Sequence, residues 1–407
     1  MRPLLPGLLA AAAWSGAAQA QDLVSRETFA GVVDVRAYAA DGEESWVDDA
    51  YGKARYGDGT GLDLGEATLA WRPRLNWEWD ATVVAQVQPD QTNGVDLGEA
   101  FVSYRPVPRG PVRLRMRAGL YYPEISLEHE GPGWTLVDTL TPSAINSWVG
   151  EEVKVAGAEA TVSGELDGGR TLSATAGGFW LGDTAGTLLT FRGWAMHDLR
   201  STAFGRFPLP PLSPFMATKQ PRFTTSLLEL DDNIGWYARA EWTSGPVRLN
   251  ALYYDNMGDL ISVNSDKEWS WDTRFWALGA DVWVSDRTRL RAQAVSGVTL
   301  MGYATPEVWI DVEYRAAYLM LTHTLGDGAV SGRLDVFETE DNTWQAIDPN
   351  QEDGWALTAA WRHPLRDRLD LVLEALHIES DRPSRVTAGV SPEQSQTVVQ
   401  SALRFRF

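Results

Sequence analysis

Trp77-Glu78-Trp79-Asp80-Ala81-Thr82-Val83-Val84-Ala85-Gln86-Val87-Gln88 separates two kinds of side chain by parity. Its odd positions read Trp, Trp, Ala, Val, Ala, Val and its even positions Glu, Asp, Thr, Val, Gln, Gln. Successive side chains of a strand point to opposite faces, so this segment reads as a strand with one oily and one wet side. Val112 to Leu120 repeats the pattern, with Val112, Leu114, Met116, Ala118 and Leu120 set against Arg113, Arg115 and Arg117. The last strand does so again, with Thr397, Val399, Ser401, Leu403, Phe405 and Phe407 on one face and Gln396, Gln400, Arg404 and Arg406 on the other. Strands of about ten residues that alternate throughout are the pattern of a transmembrane β-barrel, whereas soluble sandwiches use strands of about five or six.

Connections vary in a regular way. Short ones at Arg72–Asn76, Ser244–Pro246, Ser285–Arg287, Gly326–Gly328 and His363–Arg366 interleave with long ones at 40–61, 121–150, 208–230, 255–272, 299–311, 339–353 and 380–394. This is the asymmetry of short periplasmic turns and long extracellular loops. The expected fold is an all-β, antiparallel transmembrane barrel of about eighteen strands, the last of them weakly written near Ala203–Phe207, with sixteen as the fallback. Tryptophans and tyrosines near strand ends, among them Trp71, Trp79, Tyr104, Trp242 and Trp355, suit the interfacial girdles of such a barrel.

The N-terminus agrees with export. Arg2, an apolar run from Leu4 to Ala13 and Ala18-Gln19-Ala20 read as a signal peptide over 1–20, leaving a single barrel domain over 21–407. No later stretch is apolar for the roughly 20 residues that a spanning helix needs. Cysteine is absent, which excludes disulfides, and a net charge of −20 disfavours nucleic acid as a partner.

The segment Gln396–Phe407 resembles the terminal strand of bacterial outer-membrane proteins, whose last aromatic is read by the barrel-assembly machinery. That resemblance implies an outer-membrane location, contact with outer-membrane lipids and lipopolysaccharide, and Phe407 as the assembly signal. More widely the chain resembles proteobacterial porins. Met116-Arg117-Ala118-Gly119-Leu120-Tyr121-Tyr122-Pro123-Glu124-Ile125-Ser126-Leu127-Glu128 is similar to the phosphate-selective porins O and P, in which a strand passes through Gly and Pro into a loop that narrows the pore. The lysine-rich character of those pores is missing. Trimers are usual among similar porins, so a homotrimer is the implied assembly.

Candidate site residues follow from parity. Arg113, Arg115 and Arg117 would stack about 7 Å apart on the wet face, either as an anion filter or as a salt-bridge lattice. Glu99 is expected across from Arg117. Glu78 and Asp80 share the wet face of their strand. Glu66 and Glu99 occupy matching places in a repeat, Gly61-Leu62-Asp63-Leu64-Gly65-Glu66-Ala67 and Gly94-Val95-Asp96-Leu97-Gly98-Glu99-Ala100, which reads as hairpin duplication or as carboxylates at equal lumen heights. Segment 121–150, with Glu124, Glu128, Glu130 and Asp138, is the candidate constriction loop, folded inward or capping the mouth. Phe101, Phe179 and Trp283 would face the lumen, either as a sugar track or as bulk.

Enzymatic and cofactor signals are poor. The five histidines lack metal-ligand spacing, no Gly-x-Ser-x-Gly elbow occurs, and Asp231-Asp232 is at most a loose dyad. No catalytic residue, metal or cofactor is expected. The functional expectation is a porin admitting small hydrophilic solutes or ions by diffusion. A barrel enzyme acting on lipid or peptide, and a non-conducting binding or adhesion barrel, are the alternatives.

Overall fold

The computed structural model describes residues 23–88, 93–303, 308–343 and 348–407. The signal-peptide reading and the mature start at Gln21 lie outside them. The wall opens with β1 (Phe29–Asp41), β2 (Gly59–Trp71), β3 (Trp79–Val87), β4 (Val95–Tyr104), β5 (Val112–Tyr121), β6 (Val155–Leu166) and β7 (Arg170–Trp180). A two-residue ribbon, β8 (Phe207–Pro208) with β9 (Phe223–Thr224), stands apart from it. The wall resumes with β10 (Gly235–Ser244), β11 (Val247–Asp255), β12 (Asp272–Ser285), β13 (Thr288–Met301) and β14 (Ile310–Leu325). It ends with β15 (Gly328–Asp341), β16 (Glu352–Arg366), β17 (Leu369–Asp381) and β18 (Glu393–Arg406).

Sixteen antiparallel strands close the barrel, with β18 pairing β1 from Val32↔Arg406 to Asp41↔Thr397. This is the lower of the two expected counts. The strand expected near Ala203–Phe207 is not in the wall, because β7 pairs directly with β10 and the chain between them is committed elsewhere. Closure leaves no unpaired backbone edge for hydrocarbon to meet.

Alternation is explicit in β15. Val330, Leu334 and Val336 are exposed on the outer face, while Ser331, Arg333 and Asp335 are buried on the inner one. An outer face that is oily and exposed would aggregate in water and is stable against acyl chains. Rings meet in tilted pairs across strands on that face, Trp236–Tyr253 at 5.2 Å, Tyr253–Trp276 at 4.9 Å and Trp79–Tyr104 at 4.7 Å. The start of β1 meets Phe407 at the short-turn end, where Gly31 and Phe407 exchange backbone hydrogen bonds of 3.1 and 3.2 Å. One expected turn moves, since His363–Arg366 belongs to β16 and the reversal falls at Asp367-Arg368, with Arg368 at φ 67°.

Candidate functional site

Three connections at the long-loop end turn inward: 42–58, 122–154 and 181–234. The second leaves β5 through Gly119, whose φ is 137° and where a Cβ would meet the Ala100 carbonyl oxygen at 2.2 Å. Only glycine lets β5 run so close to β4 before the chain bends in at Pro123. The segment then crosses the bore. Leu127 N donates to Gln293 on β13 at 3.0 Å, Leu140 N to Glu374 on β17 at 2.6 Å, and Arg404 on β18 donates to the Leu136 carbonyl at 3.1 Å. The expected 121–150 segment is therefore inside the barrel rather than over its mouth.

Helix α1 (Ala144–Glu152) forms there because its start is satisfied several times over. Ser143 Oγ accepts from Asn146 N at 3.2 Å, and Glu128 accepts from Ser143 N at 3.0 Å and Ser143 Oγ at 2.6 Å. These bonds fill the orphan donors of a helix N-terminus. Arg333 then ties the start to β15, donating to Glu128, to the Thr141 and Pro142 carbonyls and to Asp335, each at 2.8 Å. Every α1 residue is buried. The Trp148 ring lies 5.1 Å from Phe275, 5.2 Å from Tyr314 and 6.0 Å from Trp194.

The third segment carries α2 (Thr187–Arg192) and then a strap, Gly193–Ala203. Glu152, at the end of α1, accepts from Gly186 N at 3.0 Å and Leu188 N at 2.8 Å, clasping α2 to α1. The strap crosses the bore from Glu352 on β16, which accepts from Trp194 N at 3.0 Å, to β4, where Ala203 N donates to Leu97 O at 2.8 Å. Midway, Asp198 receives Arg36 of β1 at 2.6 Å and Arg55 at 3.1 Å, and Arg200 pairs with Glu66 of β2. Burial pushes the Asp198 carboxyl up, but Arg36 and Arg55 outweigh it and hold the group well below the usual range.

Together these segments fill the long-loop half. Each of the sixteen wall strands has an inward side chain buried there, from Asp34, Glu66 and Gln86 through Tyr121, Phe179 and Tyr254 to Arg333, Glu374 and Gln400. Toward the short-turn end the lumen is wetter, with the Arg113 side chain 65% and the Arg115 side chain 43% exposed.

The expected residues now fall into place. Arg113 pairs with Glu165 at 2.7 Å, Arg115 with Glu124 at 3.2 Å, and Arg117 with Glu159 at 2.6 Å. Glu99 does not oppose Arg117, because the register sets Ser103 there, and Glu99 instead accepts from Tyr122 N at 3.3 Å. The register does not align the two carboxylates of the repeat: Glu99 neighbours Val84, and Val84 neighbours Ala70, four residues along β2 from Glu66. Asp80 pairs with Arg105, while Glu78 lies in the turn before β3. Glu130 meets Arg289 at 2.6 Å, and Asp138 meets Arg291. Phe179 belongs to a packed row with Tyr254 and Phe275, whereas Trp283 stays 45% exposed. Parity could not reveal Glu159 and Glu165 as partners, since that needs the β5–β6 register; their own period-two spacing in β6 was the available signal.

Among the described residues, Asp183, Glu229 and Asp231 are the set that could hold a metal ion, with one ligand atom from each all within 4.8 Å of one another. Asp231 accepts from Asp259 N at 2.6 Å and Ser270 Oγ at 2.8 Å, so the group already joins three loop stretches.

The α1–α2 clasp makes a pH-dependent prediction. Burial pushes Glu152 up to about 7 from 4.5, so the folded chain holds this proton more tightly than the unfolded one. The clasp is then most stable below pH 4.5 and weakens as pH rises through about 7. Amide exchange at Gly186–Leu189, corrected for its intrinsic rate, is expected to quicken between about pH 5 and 8, and Glu152→Gln to flatten that slope. A slope unchanged in the glutamine variant would assign the effect elsewhere.

No family model matches this chain, and neither does any curated protein. Solved structures do. The outer membrane channel DcaP of Acinetobacter baumannii superposes with a TM-score of 0.56 at 11% identity, covering 94% of this chain and 99% of that one. An anion-selective porin from Comamonas acidovorans gives 0.53 at 14% identity, over 93% and 99%. A loop-deletion mutant of OmpT, an outer membrane protein of Vibrio cholerae, gives 0.53 at 9% identity, over 93% and 98%. At such identities the likeness establishes architecture, and that architecture is the closed barrel of outer-membrane porins.

Proposed function

We propose that the chain is an outer-membrane porin that passes small hydrophilic solutes or ions by diffusion and performs no chemistry. The observation carrying this is a closed sixteen-strand wall with an oily exterior, a charged interior and a loop folded across the bore. Paired charges such as Arg113–Glu165 and Arg115–Glu124 would present solutes with a wet, nearly neutral lattice. Phe407 at the barrel seam suits recognition by the assembly machinery, and the apolar outer face suits outer-membrane lipid, lipopolysaccharide or neighbouring copies in a homotrimer. Because the long-loop half is filled, passage requires part of the filling to move.

The test is purified protein in a planar bilayer. Stepwise conductance supports the reading; a bilayer silent for the wild type and for a variant lacking the strap would favour a binding barrel or a rim enzyme. Replacing Arg113, Arg115 and Arg117 together by Ala leaves Glu165 and Glu159 without their cations and Glu124 with Arg239 alone, at 3.8 Å. The reversal potential in a KCl gradient is then expected to move toward cation preference. An unmoved potential would mean that these residues only brace the wall.

A further inference from the structure

The strap differs from segment 122–154 in how it is held. Segment 122–154 is fastened to β13, β15, β17 and β18, and α1 is buried in the aromatic core. The middle of the strap reaches β1 and β2 through charge, at Asp198 and Arg200, besides neutral bonds from Met196 N to Lys53 O at 2.9 Å, His197 N to Ser147 Oγ at 3.1 Å and Ser201 N to Gly150 O at 2.8 Å. Asp198 presents one oxygen to Arg36 and the other to Arg55, so two guanidiniums converge on a single carboxylate. Beside them lies a cavity of about 10 Å³ lined by Arg36, Arg55, Tyr56, Met196, Asp198 and Gln400. Tyr56 Oη and Gln400 Oε1, both buried, find no hydrogen-bond partner among the described residues. Two guanidiniums, which also meet Asp34 at 2.8 Å and Asp63 at 3.4 Å, beside the Tyr56 hydroxyl as a further donor are chemistry that suits an oxyanion.

Resting on the porin reading, we propose that Asp198 is a built-in stand-in for an anionic solute: a small carboxylate takes its place between Arg36 and Arg55, and the freed strap leaves the bore open. Withdrawal of Asp198 removes one negative charge from between these two arginines, and the arriving carboxylate restores it. The exchange trades one charge-assisted contact set for another, so the solute must reach the effective concentration of the tethered Asp198, on the order of millimolar, to shift the balance. The strap thus couples recognition of the solute to opening.

The experiment uses the full mature chain in planar bilayers, with acetate replacing chloride at constant ionic strength. Wild-type open occupancy is expected to rise several-fold with acetate. Asp198→Asn removes the internal anion, so its occupancy without acetate is expected to be roughly tenfold higher and insensitive to acetate. The chain has no cysteine, and Ala54 and Met196 are bridged neighbours, so Ala54→Cys with Met196→Cys ties the strap to the 42–58 loop. That pair is expected to stay shut when oxidised and to conduct once reduced. Heat-modifiable gel migration confirms that each variant is folded. If Asp198→Asn and the oxidised pair both conduct like wild type, or acetate leaves wild type unchanged, the proposal is overturned. A variant with 194–203 replaced by a Gly-Ser linker separates the two ideas: conductance there while Asp198→Asn is silent overturns the role of Asp198 alone, and silence in all of them overturns the porin reading too.

Discussion

Arg333→Ala is expected to lower the stability of the folded barrel by roughly 3–5 kcal/mol and to free segment 122–154 for proteolysis. Arg333 is buried and spends its guanidinium on five partners, Glu128, Asp335, the Thr358 hydroxyl and the carbonyls of Thr141 and Pro142. Truncation leaves two buried carboxylates facing each other without their cation, together with two orphaned carbonyls. Since Glu128 also organises the start of α1, the damage passes from wall to helix. Arg333→Lys keeps the charge but loses the planar fork that reaches all five partners, so it should recover only part of the loss. Urea titration in detergent micelles with protease mapping checks this. An unchanged midpoint with 122–154 still protected would show that the segment is held by something else.

That result bears on how much the sequence disclosed. Period-two segregation makes the wall legible because a strand's two faces meet different solvents, so β5 and β15 can be placed from composition alone. Register is another matter. The pairing of Arg117 with Glu159 rather than Glu99 depends on cross-strand alignment, and neighbouring bulges, such as the one between Val84 and Ala85, shift that alignment without changing composition. Segment 181–234 was the least readable. Four of its charged residues, Asp183, Arg192, Asp198 and Arg200, look like those of a solvated loop, yet they are buried or paired. Polar loops on the outside and polar fillings of a charged lumen satisfy the same composition, and only long-range partners such as Arg36 and Glu66 tell them apart. An eighteenth strand near Ala203–Phe207 follows from seventeen clear strands and the need to keep the short turns on one side; sixteen wall strands meet that need, and Phe207 lies instead in the ribbon β8–β9 outside the wall.

Trp148→Ala tests the apolar half of the same filling and is expected to cost about 3–5 kcal/mol. Its indole is wholly buried between Phe275 of β12, Tyr314 of β14 and Trp194 of the strap, and its Nε1 donates to Glu152 at 2.8 Å. Truncation opens a cavity where α1, α2 and the strap meet, so the loss reaches beyond the lost contact area. Two effects can be told apart with Trp148→Phe, which keeps most of the ring area and gives up the hydrogen bond for about 1 kcal/mol. The alanine variant should therefore lower the urea midpoint far more than the phenylalanine variant and raise open occupancy in bilayers, because the strap loses its aromatic neighbour. Equal midpoints for the two variants would place the stabilisation in the Glu152 bond, and unaltered occupancy in the alanine variant would mean that the strap is held by its charges alone.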